Sequence, residues 1–387
     1  MFKFNLVYQD KKTAARVGKI QTNHGVIETP AFVAVGTAAS VKSLTPEEIS
    51  QTGTQTFFVN TFHLHLRPGE KIIKKLGGIH KFMNWKGPIM SDSGGFQVFS
   101  LNREGENQLV KINNSGVEFR SPWDGSKHFF TPEKSIAIQK DLGADIIFVL
   151  DDCTPYPVSH GQAKISLART HRWAEESLRA YKKLKSSQAL YGIVQGSVFE
   201  DLRKKSAKFI SSFPFAGIAI GGVSVGESKK EMRKVLDWVV PLLPKGKPRH
   251  LLGVGEIDDI FTLVKTGVDT FDCVMPTRLG RMGHILTKVK SQKLKVKSFT
   301  YDITKTKFAA DKKPLDPDCH CYVCQNFTRA YVNHLFRTRE LLAYRLATFH
   351  NLCFINQLMR EIRKAIKENR LVKLEKEWLK TGNNVVH

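Results

Sequence analysis

The chain has 387 residues, 41% of them hydrophobic, which is long and apolar enough to bury a large core and excludes a disordered segment. Its 60 lysines and arginines against 36 acids leave a formal charge of +24, the balance of a protein that meets a polyphosphate backbone, so nucleic acid is the favoured partner. No run approaches the roughly 18 apolar residues of a membrane span, and the opening MFKFNLVYQDKKTAARVG has neither the apolar stretch nor the cleavage site of a signal peptide. A cytoplasmic protein with no membrane partner is expected.

Residues 1–28 are expected to form an N-terminal segment that caps the main domain. Beyond them the chain shows short apolar runs that stop abruptly in Gly, Asn, Asp or Gln, as strands buried on both faces do. Eight occur: TPAFVAVGT (29–37), TFFVNTF (56–62), GPIMSDSGG (87–95), ADIIFVLDD (144–152), ALYGIVQGS (189–197), FAGIAIGGVS (215–224), RHLLGVGE (249–256) and DTFDCVMPT (269–277). Helix-like stretches separate them. TPEEISQTG and TPEKSIAIQKDLG open on Thr-Pro-Glu, in which Thr caps and Pro takes the first turn, and EDLRKKSAKFISS reads as a further helix. Eight strands alternating with helices predict an α/β fold, a (β/α)8 TIM barrel over residues 29–288. A doubly wound open sheet is the rival, but no G-x-G-x-x-G loop follows the first run.

A barrel places its active site where the strands end. The polar residues collect there: Asp92 ends the third run, Asp151 and Asp152 the fourth, Gln195 the fifth, Gly221 and Gly222 the sixth, and Asp272 the eighth. Taken alone, any one of these reads more readily as a helix cap or a tight turn. As a set, they supply paired carboxylates across a barrel mouth. Displacement at a sugar carbon needs such a pair, one as nucleophile and one for proton transfer, and the two are expected to titrate as coupled groups.

After the eighth run comes KVKSQKLKVKSF, and then DPDCHCYVCQNF, with His350 following Cys324 after 25 intervening residues. Cys319, Cys321, Cys324 and His350 form a Cys3His set that suits one structural Zn2+ in a reducing compartment, within a zinc-binding subdomain over 289–360. The charged residues after 350 read as helix, and a C-terminal helix over 361–387 is expected to pack on the barrel or face RNA.

SDSGGFQVFS, LDDCTPYP, GIVQGS, AIGGVSVGE, FDCVMPTRLGR and CHCYVC with its downstream His, in this order and spacing, resemble tRNA-guanine transglycosylase in its bacterial, queuosine-pathway form. The resemblance covers nearly the whole chain. It implies a transferase that exchanges guanine at the wobble position of a tRNA anticodon for a 7-deazaguanine, in tRNAs for Asp, Asn, His and Tyr. It also implies a homodimer.

Carried across position by position, the resemblance makes Asp272 the nucleophile at the ribose C1′ and Asp92 the general acid/base. Asp151 would read the N1–H and amine of a guanine-like ring, with Gln195 and the Gly222 N–H donating to its carbonyl. Phe96 and Leu252, where many relatives have Tyr and Met, would sandwich the ring. Arg278 and Arg281, in the loop that carries the nucleophile, would hold the anticodon. The Val223 carbonyl and the Glu227 carboxylate would accept from the aminomethyl group of preQ1, 7-aminomethyl-7-deazaguanine. Relatives that take the bulkier base queuine carry Gly in place of Val225 and tend to lack Cys153, so preQ1 is the expected substrate. Queuine insertion, a non-catalytic tRNA-binding subunit of the same fold and a carbohydrate-cleaving barrel are the alternatives.

Overall fold

Every apolar run contains a strand: Ala31–Val35, Phe57–Val59, Ile89–Ser91, Ile146–Phe148, Ala189–Val194, Gly217–Ile220, Arg249–Leu251 and Thr270–Cys273. In this computed structural model, which describes residues 2–97, 110–288 and 299–382, the eight strands close into one parallel barrel. The eighth pairs the first in register from Thr270 with Ala31 to Cys273 with Ala34. The runs are continuously apolar because one face of each strand fills the barrel and the other meets the surrounding helices.

The expected helix starts form as read. Thr45 and Glu48 make a reciprocal capping box on Pro46–Gln51. Thr131 caps Pro132–Leu142, which ends at Gly143 in the left-handed region, φ +81°. Glu200–Ser211 is helical as well.

Residues before the barrel form an antiparallel sheet of Lys3–Gln9, Arg16–Thr22 and Gly25–Thr29. It is bolted to the end where the strands begin. Arg16 Nε donates to Asp269 Oδ1 at 2.8 Å, both side chains being buried, and Asp269 Oδ2 also accepts from the Arg249 N–H at 2.7 Å. At the same end Asp145 lies between His24 Nδ1, at 2.8 Å, and His80 Nε2, at 3.1 Å.

A second antiparallel sheet, Val110–Asn113, Gly116–Arg120 and Lys127–Phe130, is inserted after the third barrel strand and was not anticipated from the sequence. Phe62, Phe119 and Phe130 pack edge to face or tilted, with ring centroids 5.1 and 5.0 Å apart, and the Phe130 ring lies against Gly94. A Cβ at Gly94 would lie 2.8 Å from the Phe130 ring, and its φ of +85° excludes most side chains.

The C-terminal part carries the strand pair His284–Leu286 and Thr300–Asp302, followed by the helices Tyr322–Asn326, Arg329–Arg337, Leu341–Lys367 and Leu371–Gly382. Leu341–Lys367 runs unbroken across position 360. It packs on the barrel, burying Ile355, Leu358 and Ile362, while Asn356 donates to Thr54 Oγ1 at 2.9 Å and Arg363 to the Pro30 carbonyl at 2.8 Å. Most of KVKSQKLKVKSF and the end of SDSGGFQVFS lie outside the described residues. Among the described residues, no helix is long and apolar enough to cross a membrane.

Candidate active site and metal cluster

Because parallel strands finish on one rim, residues far apart in the chain meet there. Asp92, Asp151, Gln195, Gly222, Val223, Leu252, Asp272, Phe96, Cys153 and Arg278 all line one cavity of about 510 Å³. Glu227 and Arg281 do not line it.

Asp92 follows the third strand. Its Oδ1 accepts from the Thr61 N–H at 2.7 Å and the Gly94 N–H at 3.2 Å, and its Oδ2 accepts from the Asn60 amide. All these donors are neutral. Although one side opens on the cavity, the surrounding protein strips it of water, and that desolvation, only partly offset by the donors, raises its pKa to about 6. A carboxyl poised there can give and take a proton near neutrality.

Asp151 accepts from Gln195 Nε2 at 2.7 Å and from Ser93 Oγ at 3.4 Å. Burial, aided by the neighbouring Asp152, again outweighs these bonds, and its pKa also rises to about 6. The glycines opposite are required by crowding. A Cβ at Gly221 would lie 2.8 Å from Gln195 Nε2, and one at Gly222, whose φ is +63°, would collide with Gln195 Oε1. Arg203, buried beneath this turn, donates to the Gly221 carbonyl at 2.7 Å, the Gly222 carbonyl at 2.8 Å and the Ser197 carbonyl at 2.6 Å. It fixes the turn with no salt bridge among the described residues, and burial pushes the guanidinium down to about 10.

Asp272 lies in the eighth strand with its side chain 16% exposed. Oδ1 meets His250 Nε2 at 3.1 Å and accepts from the Gly253 N–H at 3.2 Å. The ring of His250 is fully buried near Phe58 and Phe148, with centroids 5.6 Å from each, and its Nδ1 lies 2.9 Å from Thr270 Oγ1. At the mouth, Phe96 is 50% exposed and Leu252 half-buried.

Cys153 and Val225 form a small buried cluster with Tyr156 on the cavity wall, and burial pushes the Cys153 thiol up. Glu227 is turned into its own loop, where its carboxylate accepts from the Ser224 N–H and, at 3.0 Å, from the Val225 N–H.

The expected loop carrying the arginines is instead a short helix, Met275–Arg281, with Pro276 in its first turn. It lies tight against Leu341–Lys367. A Cβ at Gly280 would stand 2.9 Å from the Thr348 nitrogen, and Asn351 donates to the Pro276 carbonyl at 2.9 Å and the His284 carbonyl at 3.0 Å. Arg278 is exposed at the cavity mouth, whereas Arg281 folds back to donate to the Thr277 carbonyl at 2.9 Å.

One residue before Asn351, His350 donates from Nε2 to the Leu286 carbonyl at 2.8 Å, so Nδ1 presents its lone pair to Cys321 Sγ at 3.6 Å and Cys324 Sγ at 3.3 Å. The ligand atoms of Cys319, Cys321, Cys324 and His350 all lie within 4.8 Å of one another. Three thiols and an oriented imidazole fit a tetrahedral metal ion such as zinc. Cys353, one helical turn beyond His350, has its thiol within hydrogen-bonding reach of Cys321.

His250, Asn60, Arg203, Asn351 and Cys353 were not singled out in the sequence. Asn60 carried a usable signal, since it ends the second apolar run as Asp92 ends the third. The others carried none: His250 sits inside an apolar run, and Arg203 looks like any other cation on a charged helix.

Residues 10–384 match the family model described as Queuine tRNA-ribosyltransferase. The chain is 50% identical over 381 residues to the queuine tRNA-ribosyltransferase of Desulforamulus reducens, covering 98% of this chain and 99% of that one. It is 50% identical over 378 residues to that of Thermoanaerobacter pseudethanolicus, with 98% and 97% covered. Against that of Listeria innocua it is 48% identical over 376 residues, with 97% and 95% covered.

Proposed function

Because the chain belongs to the queuine tRNA-ribosyltransferase family, we propose that it is a tRNA-guanine transglycosylase of queuosine biosynthesis. It exchanges guanine at the wobble position of tRNAs for Asp, Asn, His and Tyr. One observation carries this reading: Asp92, Asp151 and Asp272 line a single cavity, two of them raised towards neutral pH by burial. Asp272 attacks the ribose C1′, the N-glycosidic bond breaks, and guanine leaves with a proton from Asp92. The incoming base returns its proton to Asp92 and displaces the Asp272 ester, so two inversions retain the sugar configuration. Asp151 and Gln195, now bonded to each other, would open to take the edge of the base, the Gly222 N–H would assist, and Phe96 and Leu252 would hold its faces. Arg278 lies where it can meet a flanking nucleotide. Arg281 needs to let go of the Thr277 carbonyl to do the same.

The base supplied is preQ1. Val225 and Cys153 fill the wall that a larger substituent would need, and the Val223 carbonyl is available to an ammonium group. Glu227 supports that loop through backbone N–H groups and would reach the ammonium only on rearranging. Zn2+, held by Cys319, Cys321, Cys324 and His350, is structural and takes no part in the chemistry. The active form is a cytoplasmic homodimer, with exposed Tyr322 and Leu341 near the metal region as contact residues.

Incubation with radiolabelled guanine and bulk tRNA tests the central reading. Label is expected in tRNA, and its absence with folded protein rejects the transglycosylase. Competition between preQ1 and queuine for one labelled tRNA tests the base; preQ1 is expected to win, with Val225→Gly narrowing the difference, and efficient queuine insertion by the unmodified protein overturns the choice. Metal analysis is expected to find one zinc per chain, lost in Cys321→Ser.

A further inference from the structure

We infer that His250 is a positioning residue for Asp272, donating from Nε2 to Oδ1 so that Oδ2 is left as the oxygen that forms the bond to the substrate. The inference rests on the proposed reading in which Asp272 is the nucleophile. An ionised carboxylate only accepts hydrogen bonds, so the 3.1 Å contact between His250 Nε2 and Asp272 Oδ1 places a hydrogen on Nε2. In the neutral ring, Nδ1 is then an acceptor. The Thr270 hydroxyl, 2.9 Å away, supplies the matching donor. A directed chain results, from Thr270 O–H to Nδ1 and from Nε2–H to Oδ1, with His250 and Thr270 both fully buried. An imidazolium would need Thr270 to turn its hydrogen away from Nδ1, and it would set a full positive charge beside the attacking group. The neutral tautomer avoids both, and the rings of Phe58 and Phe148 keep it from swinging.

The second donor falls on the same oxygen. Gly253 N–H reaches Oδ1 at 3.2 Å, and among the described residues no hydrogen bond touches Oδ2. Asp92 shows what the alternative looks like, since both of its oxygens are engaged. One carboxylate is thus held by both ends and the other by one. The second arrangement suits a nucleophile, because the free oxygen keeps its electron density and its direction is set through its partner.

The test compares His250→Phe, His250→Gln and His250→Asn with the unmodified protein. For each, the rate of the RNA-linked band on a denaturing gel is measured with a substrate tRNA, beside the Kd for that tRNA. Gln carries its amide nitrogen near the position of Nε2, whereas the Asn amide reaches only as far as Nδ1. His250→Phe is expected to slow adduct formation about 100-fold, the scale of a misaimed reacting group, with tRNA affinity within about twofold. His250→Gln is expected to recover most of the rate and His250→Asn little of it. Should the Phe variant fail to fold, the Gln and Asn pair decides. Equal rates for Gln and Asn, or a Phe variant as fast as the unmodified protein, overturn the inference while the unmodified protein still forms adduct. If the unmodified protein forms none, the proposed function itself fails.

Discussion

Where the barrel strands begin, Asp269 faces the Arg16 guanidinium and Asp145 sits between two imidazoles. Where they finish, Asp92 and Asp151 are held only by amides, backbone N–H groups and a hydroxyl. Both ends bury carboxylates, and the mouth also pairs Asp152 with Arg169 and Asp272 with His250, but among the described residues Asp92 and Asp151 have no basic group bonded to them. Asp145, despite its burial, is held below the usual carboxylate range by hydrogen bonds from His80 and His24. At the mouth nothing opposes desolvation so strongly, and Asp92 and Asp151 rise to about 6. The floor compensates its charges and serves stability. At the mouth Asp92 and Asp151 are left for a substrate to satisfy, at a cost to the empty protein. Asp269 qualifies the contrast, because burial holds it above the usual range even beside Arg16.

The largest effect belongs at the mouth. Asp272→Asn is expected to abolish the RNA-linked band, a loss of more than about 1000-fold, while tRNA still binds, since an amide is a poor nucleophile and the basic surface is unchanged. A persisting band would move the nucleophile to Asp92 and erase the distinction between the two mouth carboxylates.

At the floor, Arg16→Met leaves Asp269 buried without its cation. Urea unfolding is expected to show a loss of about 3–5 kcal/mol, with the activity of the remaining folded protein little changed. A loss under about 1 kcal/mol would show that the ion pair does not hold that end together.

Asp151→Asn inverts the sign. The folded carboxyl, at about 6 against an ordinary 3.8, binds more protons than the unfolded one between those values, so its contribution to stability falls as pH rises through that window. The amide removes this penalty and can still pair with Gln195. The variant is expected to match the unmodified protein near pH 4 and exceed it at pH 7 by on the order of 2 kcal/mol, while losing base binding. A pH-independent difference would place the cost elsewhere.

Smallest is Arg278→Ala, at the exposed rim. A several-fold weaker tRNA affinity is expected, about 1 kcal/mol, with the salt slope reduced by about one. An unchanged slope would take Arg278 off the RNA path and confine recognition to the pocket.

The eight strands were legible because a strand buried on both faces must be apolar throughout, and a local run records that. Thr-Pro-Glu starts were legible for a similar reason, since a cap and a first-turn proline act within four residues. The sheet at Val110–Phe130 escaped notice because its strands are short and partly exposed. The arginine-bearing segment read as a loop because its helix spans only seven residues and is held by Gly280 and Asn351 against a helix some 70 positions away.

By itself the sequence determined the barrel, the carboxylates at its strand ends and the three clustered cysteines of the candidate metal set, because unbroken apolar runs, the residues that end them and short Cys spacing are properties of neighbouring residues. Only the tertiary structure decided what surrounds each group. It desolvated Asp92 and Asp151 without bonding a cation to either, set His250 from the seventh strand against Asp272 in the eighth, drew Arg203 under the glycine turn and folded Arg281 away from the mouth. Desolvation and hydrogen-bond partners depend on which distant segments close around a side chain, and barrel closure brings those segments together.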